Sequence, residues 1–201
     1  MLAAVLLVLT VVTYSNSFHN SFHFDDSHAI VNNLYIRNIA NIPLFFKDST
    51  TFSSLPSNQS YRPVVTATLA IDYWLGKGLS DTFYFHLSMF IMFIMQGILM
   101  FFFYQKIFDC AVGREGGTFT ALLAAGWYLV HPANAETINY IISRSGSFSA
   151  LFIVLAFVLY VRSAFCRRWH LYLLPLALGA ESTVRSIGCP PRSTTSGWIR
   201  A

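Results

Sequence analysis

The sequence predicts an all-α, multi-pass membrane helix bundle of about five spans, with a long extracytoplasmic first loop that contains short interfacial helices. Three observations predict it. Of 201 residues, 55% are hydrophobic and only 11% charged, against roughly 25% charged in an average globular chain. A soluble domain of this size has too few charges to cover its surface, whereas lipid accepts apolar walls. Thr82 to Tyr104 contains no Asp, Glu, Lys or Arg and is long enough to cross about 30 Å of hydrocarbon as a helix. Further apolar stretches recur at intervals, joined by short polar connectors, and 19 Phe and 10 Tyr suit lipid-facing walls and interfacial belts.

Met1 to Tyr14 is apolar but shorter than a usual span, and it has the alternative reading of a signal-peptide core without a basic start. So abrupt a start also suggests that residues precede it. Residues 15–81 form the long loop, punctuated by Asn32-Asn33, Asn41-Ile42-Pro43 and the run Ser53 to Ser60, all turn signals. Val64 to Leu75 is expected as a helix lying flat at the bilayer surface. After the decisive span come shorter apolar segments, Phe119 to Val130, Phe148 to Val161 and, weakest, Trp169 to Ala180. Orientation follows the positive-inside rule. Connectors 105–117, with Lys106 and Arg114, and 162–170, with Arg162, Arg167 and Arg168, are basic and expected inside. Segments 15–81 and 131–147 are then extracytoplasmic. Residues 1–180 form one membrane domain. The tail 181–201, with Pro190-Pro191 and scattered Ser, Thr and Arg, cannot continue a membrane helix and is expected to be disordered or frame-altered.

The net charge of +4 comes partly from that tail, and no polybasic block points to nucleic acid. Cys110, Cys166 and Cys189 lack zinc or redox spacing and are expected as free thiols.

Several residues suggest chemistry. Asp25-Asp26 follows Phe22 and Phe24 soon after the first apolar segment. A carboxylate near a low-dielectric boundary needs a task or a partner, so a base, a ligand or a hydrogen-bond anchor would each use it; a solvated turn is the plainer account. His19, His23 and His28 surround the pair without a standard metal spacing, and no metal is expected. Arg62, in Tyr61-Arg62-Pro63, can hold a phosphate through its planar fork or merely snorkel to an interface. His131-Pro132 opens a new helix in which Glu136 sits early, favoured by the macrodipole. Arg144 stands where the next span begins. All of these fall on one side of the membrane in the topology above.

Phe24-Asp25-Asp26, Asn33, Tyr61-Arg62-Pro63, Phe85-His86-Leu87, then His131-Pro132 with Glu136 and Arg144, in this order, resemble the N-terminal membrane part of the transmembrane and tetratricopeptide-repeat O-mannosyltransferases and their bacterial relatives. Those enzymes are similar to other glycosyltransferases of the C-type membrane fold. The resemblance covers about residues 1–180. It implies transfer of a sugar, commonly mannose, from a polyprenyl-phosphate carrier to a protein hydroxyl on the luminal or periplasmic side. It also implies that Asp25 or Asp26 is the base. Arg62 and Arg144 would hold the lipid phosphate, with His131 and Glu136 lining the same cavity. The implied partners are the lipid-linked sugar and an acceptor protein, with no cofactor beyond the donor. The implied home is the bacterial inner membrane or the endoplasmic reticulum membrane. Met89 and Phe93 stand where family members often carry Asn and His. Relatives continue with further spans and repeats; no helical repeat of about 34 residues is visible here, so a truncated or frame-altered chain is expected. A non-enzymatic membrane scaffold is the alternative.

Overall fold

The computed structural model describes residues 1–162, without the side chains of Val112, Arg114 and Glu115. Seven α-helices are joined by short 3-10 and π turns: α1 (Leu2–Tyr14), α2 (Ile42–Phe45), α3 (Pro63–Leu75), α4 (Phe83–Val112), α5 (Arg114–Val130), α6 (Asn134–Asn139) and α7 (Arg144–Arg162). No strand occurs among the described residues.

Among the described residues, three stretches are helical, long and apolar enough to cross a membrane: Leu2–His19, which extends α1 by a 3-10 turn, Phe83–Ala111 and Ile141–Arg162. Gly116–Val130 within α5 is apolar but shorter. The fifth expected span, Trp169 to Ala180, and the tail 181–201 lie outside the described residues.

Helix α4 is the axis. Its 30 residues rise about 45 Å, and it stops at Gly113, whose φ of 88° suits a residue without a Cβ. Helix α5 then folds back along it. The two approach closely near the turn, where a Cβ on Gly117 would lie 2.7 Å from the Asp109 backbone nitrogen. Small residues permit such contacts in helix pairs that lack a hydrophobic driving force. His131 ends α5 in extended backbone, φ −68° and ψ 130°, as a residue before proline prefers. The outer faces stay apolar: Val8 and Val12 on α1, Ile91 and Ile98 on α4, Trp127 on α5 and Phe157 on α7 are exposed, an arrangement that suits lipid better than water.

The long 15–81 segment is folded rather than slack. Helix α3, opened by Pro63 at its first turn and ended at Gly76, packs Val65, Leu69 and Ala70 into a core with Ile30, Ile36, Phe45, Phe52, Phe85, Met89 and Ile141. Trp74 and Leu75 remain exposed on its other face. Asn33 staples the segment, its buried amide donating to the carbonyls of Ala29, Thr51 and Phe52 at 2.9–3.1 Å. This cap rests on the bundle end formed by the start of α4, the end of α5 and the start of α7.

Candidate functional site

The site is built where the chain leaves α1 and is tied to that bundle end. Tyr14 donates its hydroxyl to the His131 carbonyl at 3.2 Å. Asn20 donates to Asn139 Oδ1 at 2.9 Å, and Thr82 donates to the Asn20 carbonyl at 2.9 Å. These ties bring the residues after Asn20 beside α6. At Phe24 the backbone takes φ 47°, a left-handed conformation that costs an aromatic residue on the order of 1–3 kcal/mol. The exposed Phe24 ring meets Tyr140 edge-on at 6.3 Å. The strained turn is followed directly by the two aspartates, which end in different surroundings.

Asp26 is fully buried. Its Oδ2 accepts from the His23 backbone N–H at 3.0 Å and its Oδ1 from that of Ile142 at 3.1 Å. Burial pushes its carboxyl above the usual carboxylate range, against the pull of those two N–H groups, Arg144 and His23. It pins the loop to the start of the last span. Asp25 is open, its side chain 57% exposed. Its backbone N–H donates to the Tyr140 hydroxyl at 3.3 Å, and its Oδ1 lies 3.3 Å from His28 Nε2. Burial first, then bonding to the Asp25 carboxyl, push the Tyr140 phenol up to about 12, so it stays a donor.

Asp25 borders two cavities. One, about 370 Å³, is lined by His23, Phe24, Asp25, Glu136, Asn139 and Tyr140. The other, about 250 Å³, joins Asp25 to His28, Asn58, Ser60 and Arg62. Thus Glu136 and Arg62, distant in sequence, each line a cavity that Asp25 also borders. Arg62 is propped in place: its guanidinium lies 5.1 Å over the Phe52 ring and its Nη1 donates to Ser145 Oγ at 3.2 Å. The props fix the direction of the fork.

The structure brings His131 and Arg144 to neither cavity. His131 is exposed, its Nδ1 accepting from the Ala133 N–H at 3.2 Å. Arg144 is wholly buried. It donates to Asp72 Oδ2 at 2.6 Å, to the Phe85 carbonyl at 3.1 Å, and to Ser88 and Thr68 hydroxyls at 3.3 Å. It therefore knots α3, α4 and α7 together. Among the described residues no three His, Cys, Asp or Glu side chains are grouped to hold a metal.

Sequence reasoning missed the partners rather than the principals. Asp72 lies 72 residues from Arg144, and its only signal in the sequence is that it is a lone carboxylate within the apolar run Val64 to Leu75. Tyr140 gives no signal beyond its closeness to Glu136. The sequence sets His28 near the aspartate pair without assigning it a partner, and the structure places it 3.3 Å from Asp25 Oδ1.

Sequence comparison finds proteins similar to this chain. The chain is 30% identical over 166 residues to protein O-mannosyl-transferase TMTC4 of Homo sapiens, covering 77% of this chain and 22% of that protein. It is 28% identical over 167 residues to protein O-mannosyl-transferase TMTC3 of Homo sapiens, covering 81% and 17%. Against protein O-mannosyl-transferase TMTC1 of Homo sapiens it is 31% identical, covering 80% and 18%. The chain spans about a fifth of the length of the curated relatives it matches. No family model matches it, and no solved structure does.

Proposed function

The chain matches the protein O-mannosyl-transferase family over about four-fifths of its length, and on that premise we propose that it is the part of a membrane glycosyltransferase that holds the base and the phosphate grip. The reaction moves a sugar, mannose in the first instance, from a polyprenyl-phosphate carrier to a protein hydroxyl. The observation that carries this reading is Asp25: an exposed carboxylate at the loop end of an apolar bundle, sharing one cavity with Arg62 and the other with Glu136.

A carboxylate within hydrogen-bond reach of the acceptor hydroxyl takes its proton as the oxygen attacks the anomeric carbon. Arg62 offers the leaving phosphate two parallel donors. Tyr140, kept protonated, donates to the Asp25 side and sets its rotamer. Asp26 serves as the anchor of this turn rather than as the base. In this reading the full protein has about five spans or more, and the loop faces the lumen of the endoplasmic reticulum or the bacterial periplasm.

Two measurements test it. Arg62→Lys in the full-length protein should weaken binding of the polyprenyl-phosphate carrier about tenfold, because a point charge replaces a planar fork. Unchanged affinity in a lipid-binding assay would leave Arg62 as an interfacial anchor. For topology, single cysteines replacing Ser54 and Lys106, both exposed, in a cysteine-free background should label from opposite faces of the membrane, Ser54 from the luminal or periplasmic face. Labelling of both positions from one side would break the assignment of the site to the extracytoplasmic face.

A further inference from the structure

A third cavity, of about 420 Å³, is lined among others by Gln96 on α4, Tyr128 on α5, Thr137 on α6, and Ser143, Ser145 and Ser147 around the start of α7. No charged side chain is among the described residues that line it. It differs in this from the two cavities that hold Asp25 with Glu136 or Arg62. Gln96 lies in the middle of the apolar stretch Phe83–Ala111. It is only 7% exposed, and its amide makes no hydrogen bond among the described residues. The Ser147 hydroxyl is likewise buried without a partner among them. A buried polar group left unpaired is destabilising, and polar side chains inside an apolar span turn to a cavity or a partner rather than to lipid.

One bond joins this cavity to the residue read above as the phosphate grip. Arg62 lines the cavity shared with Asp25 and donates from Nη1 to Ser145 Oγ at 3.2 Å, and Ser145 lines the neutral cavity. Across that bond the chemistry changes from a cation to amide and hydroxyl groups. A glycosyl phosphate has the same order: an anionic phosphate attached directly to an uncharged ring covered in hydroxyls. The volume of about 420 Å³ lies within the range of small-ligand pockets. A glutamine amide both donates and accepts, so it can serve two neighbouring hydroxyls at once. We propose that this cavity receives the uncharged hexosyl ring of the carrier, with Gln96 as the residue that recognises its hydroxyls. This rests on the reading of Arg62 given above. Phosphate on Arg62 sets the ring beside Ser145, where Gln96 from α4 and Thr137 from α6 offer it partners.

The test is binding of two probes to the full-length protein in detergent: polyprenyl-phosphate mannose, and the same polyprenyl phosphate without a sugar. The parent should bind the mannosyl form more tightly. Gln96→Leu, close in volume but without the amide, should lower affinity for the mannosyl form about tenfold, the scale of one lost polar contact. It should leave affinity for the sugar-free form unchanged. Thr137→Val, isosteric at a half-buried position, should act in the same direction more weakly, and it carries the test if Gln96→Leu does not fold. Arg62→Lys should weaken both forms by the same factor. A parent that binds both forms equally overturns the inference, because the cavity then holds water only. Equal losses for the two forms in Gln96→Leu and Thr137→Val overturn it as well, because these residues then support the fold. Unchanged affinity for the mannosyl form in both variants overturns it too. If Arg62→Lys changes neither affinity while Gln96→Leu still separates the two probes, the phosphate grip falls and the hexosyl site stands. If the parent binds neither probe, the reading of the carrier site falls and takes the inference with it.

Discussion

Asp25→Asn is expected to leave the full-length protein folded and to slow sugar transfer about 10²–10⁴-fold, the loss associated with removing a general base. The amide is nearly isosteric and still accepts a hydrogen bond, and the side chain is more than half exposed, so stability should move by less than about 0.5 kcal/mol. The neighbouring carboxylate should behave in the opposite way. Asp26→Ala removes both acceptors from the buried N–H groups of His23 and Ile142, each of which costs about 1–3 kcal/mol when left unpaired. Asp26→Ala should therefore unfold at lower temperature in detergent, and its transfer should fall with the folded fraction. Full activity in Asp25→Asn membranes would end the assignment of Asp25 as base. A fully stable Asp26→Ala protein would end the division of labour between the pair.

The largest effect on stability is expected at Arg144. Arg144→Met leaves the Asp72 carboxylate buried without its counter-charge, which costs about 3–5 kcal/mol. Asp72→Leu strands the guanidinium and should cost a similar amount. The double variant Arg144→Met with Asp72→Leu removes both charges and fills the space with apolar atoms, and replacements of this kind are often neutral. It should regain most of the stability lost in either single variant, as read by thermal unfolding of the purified protein in detergent. A double variant as unstable as the sum of the singles would show that the bonds to Phe85, Ser88 and Thr68 carry the effect instead. In the double variant, carrier affinity should stay close to the parent's, because Arg144 faces a carboxylate and Arg62 lines the cavity with Asp25.

Much of the bundle was legible in the sequence because its signal is local. The charge-free run Thr82 to Tyr104 starts at the N-cap of α4 and continues within it, Phe148 to Val161 lies within α7, and Val64 to Leu75 falls in α3. What was less legible depends on distance along the chain. Asp25 and Asp26 are indistinguishable as neighbours in a string. The left-handed turn at Phe24 just before them and a backbone N–H that arrives from Ile142 give them different surroundings. The resemblance marks Arg144 as a phosphate grip, and its place at the start of a span suits an interfacial arginine; only the packing of α3 against α4 and α7 reveals Asp72 as its partner. His28 carries no marker of its own, since a π turn sets its ring and no periodicity in the residues predicts one.

The anchoring of Asp26 by a residue 116 positions later has a consequence for biosynthesis. At ordinary elongation rates, roughly 5–20 residues per second, the nascent loop emerges on the order of ten seconds before its anchor is made. During that interval the carboxylates, the imidazole and the arginine are all present but not yet arranged, and the Asp26 carboxyl has no Ile142 to dock on. Competence at this site is therefore a late event in the life of the chain. An insertion error in the helix pair α4–α5 would be reported as a loop that never closes, well away from the error itself.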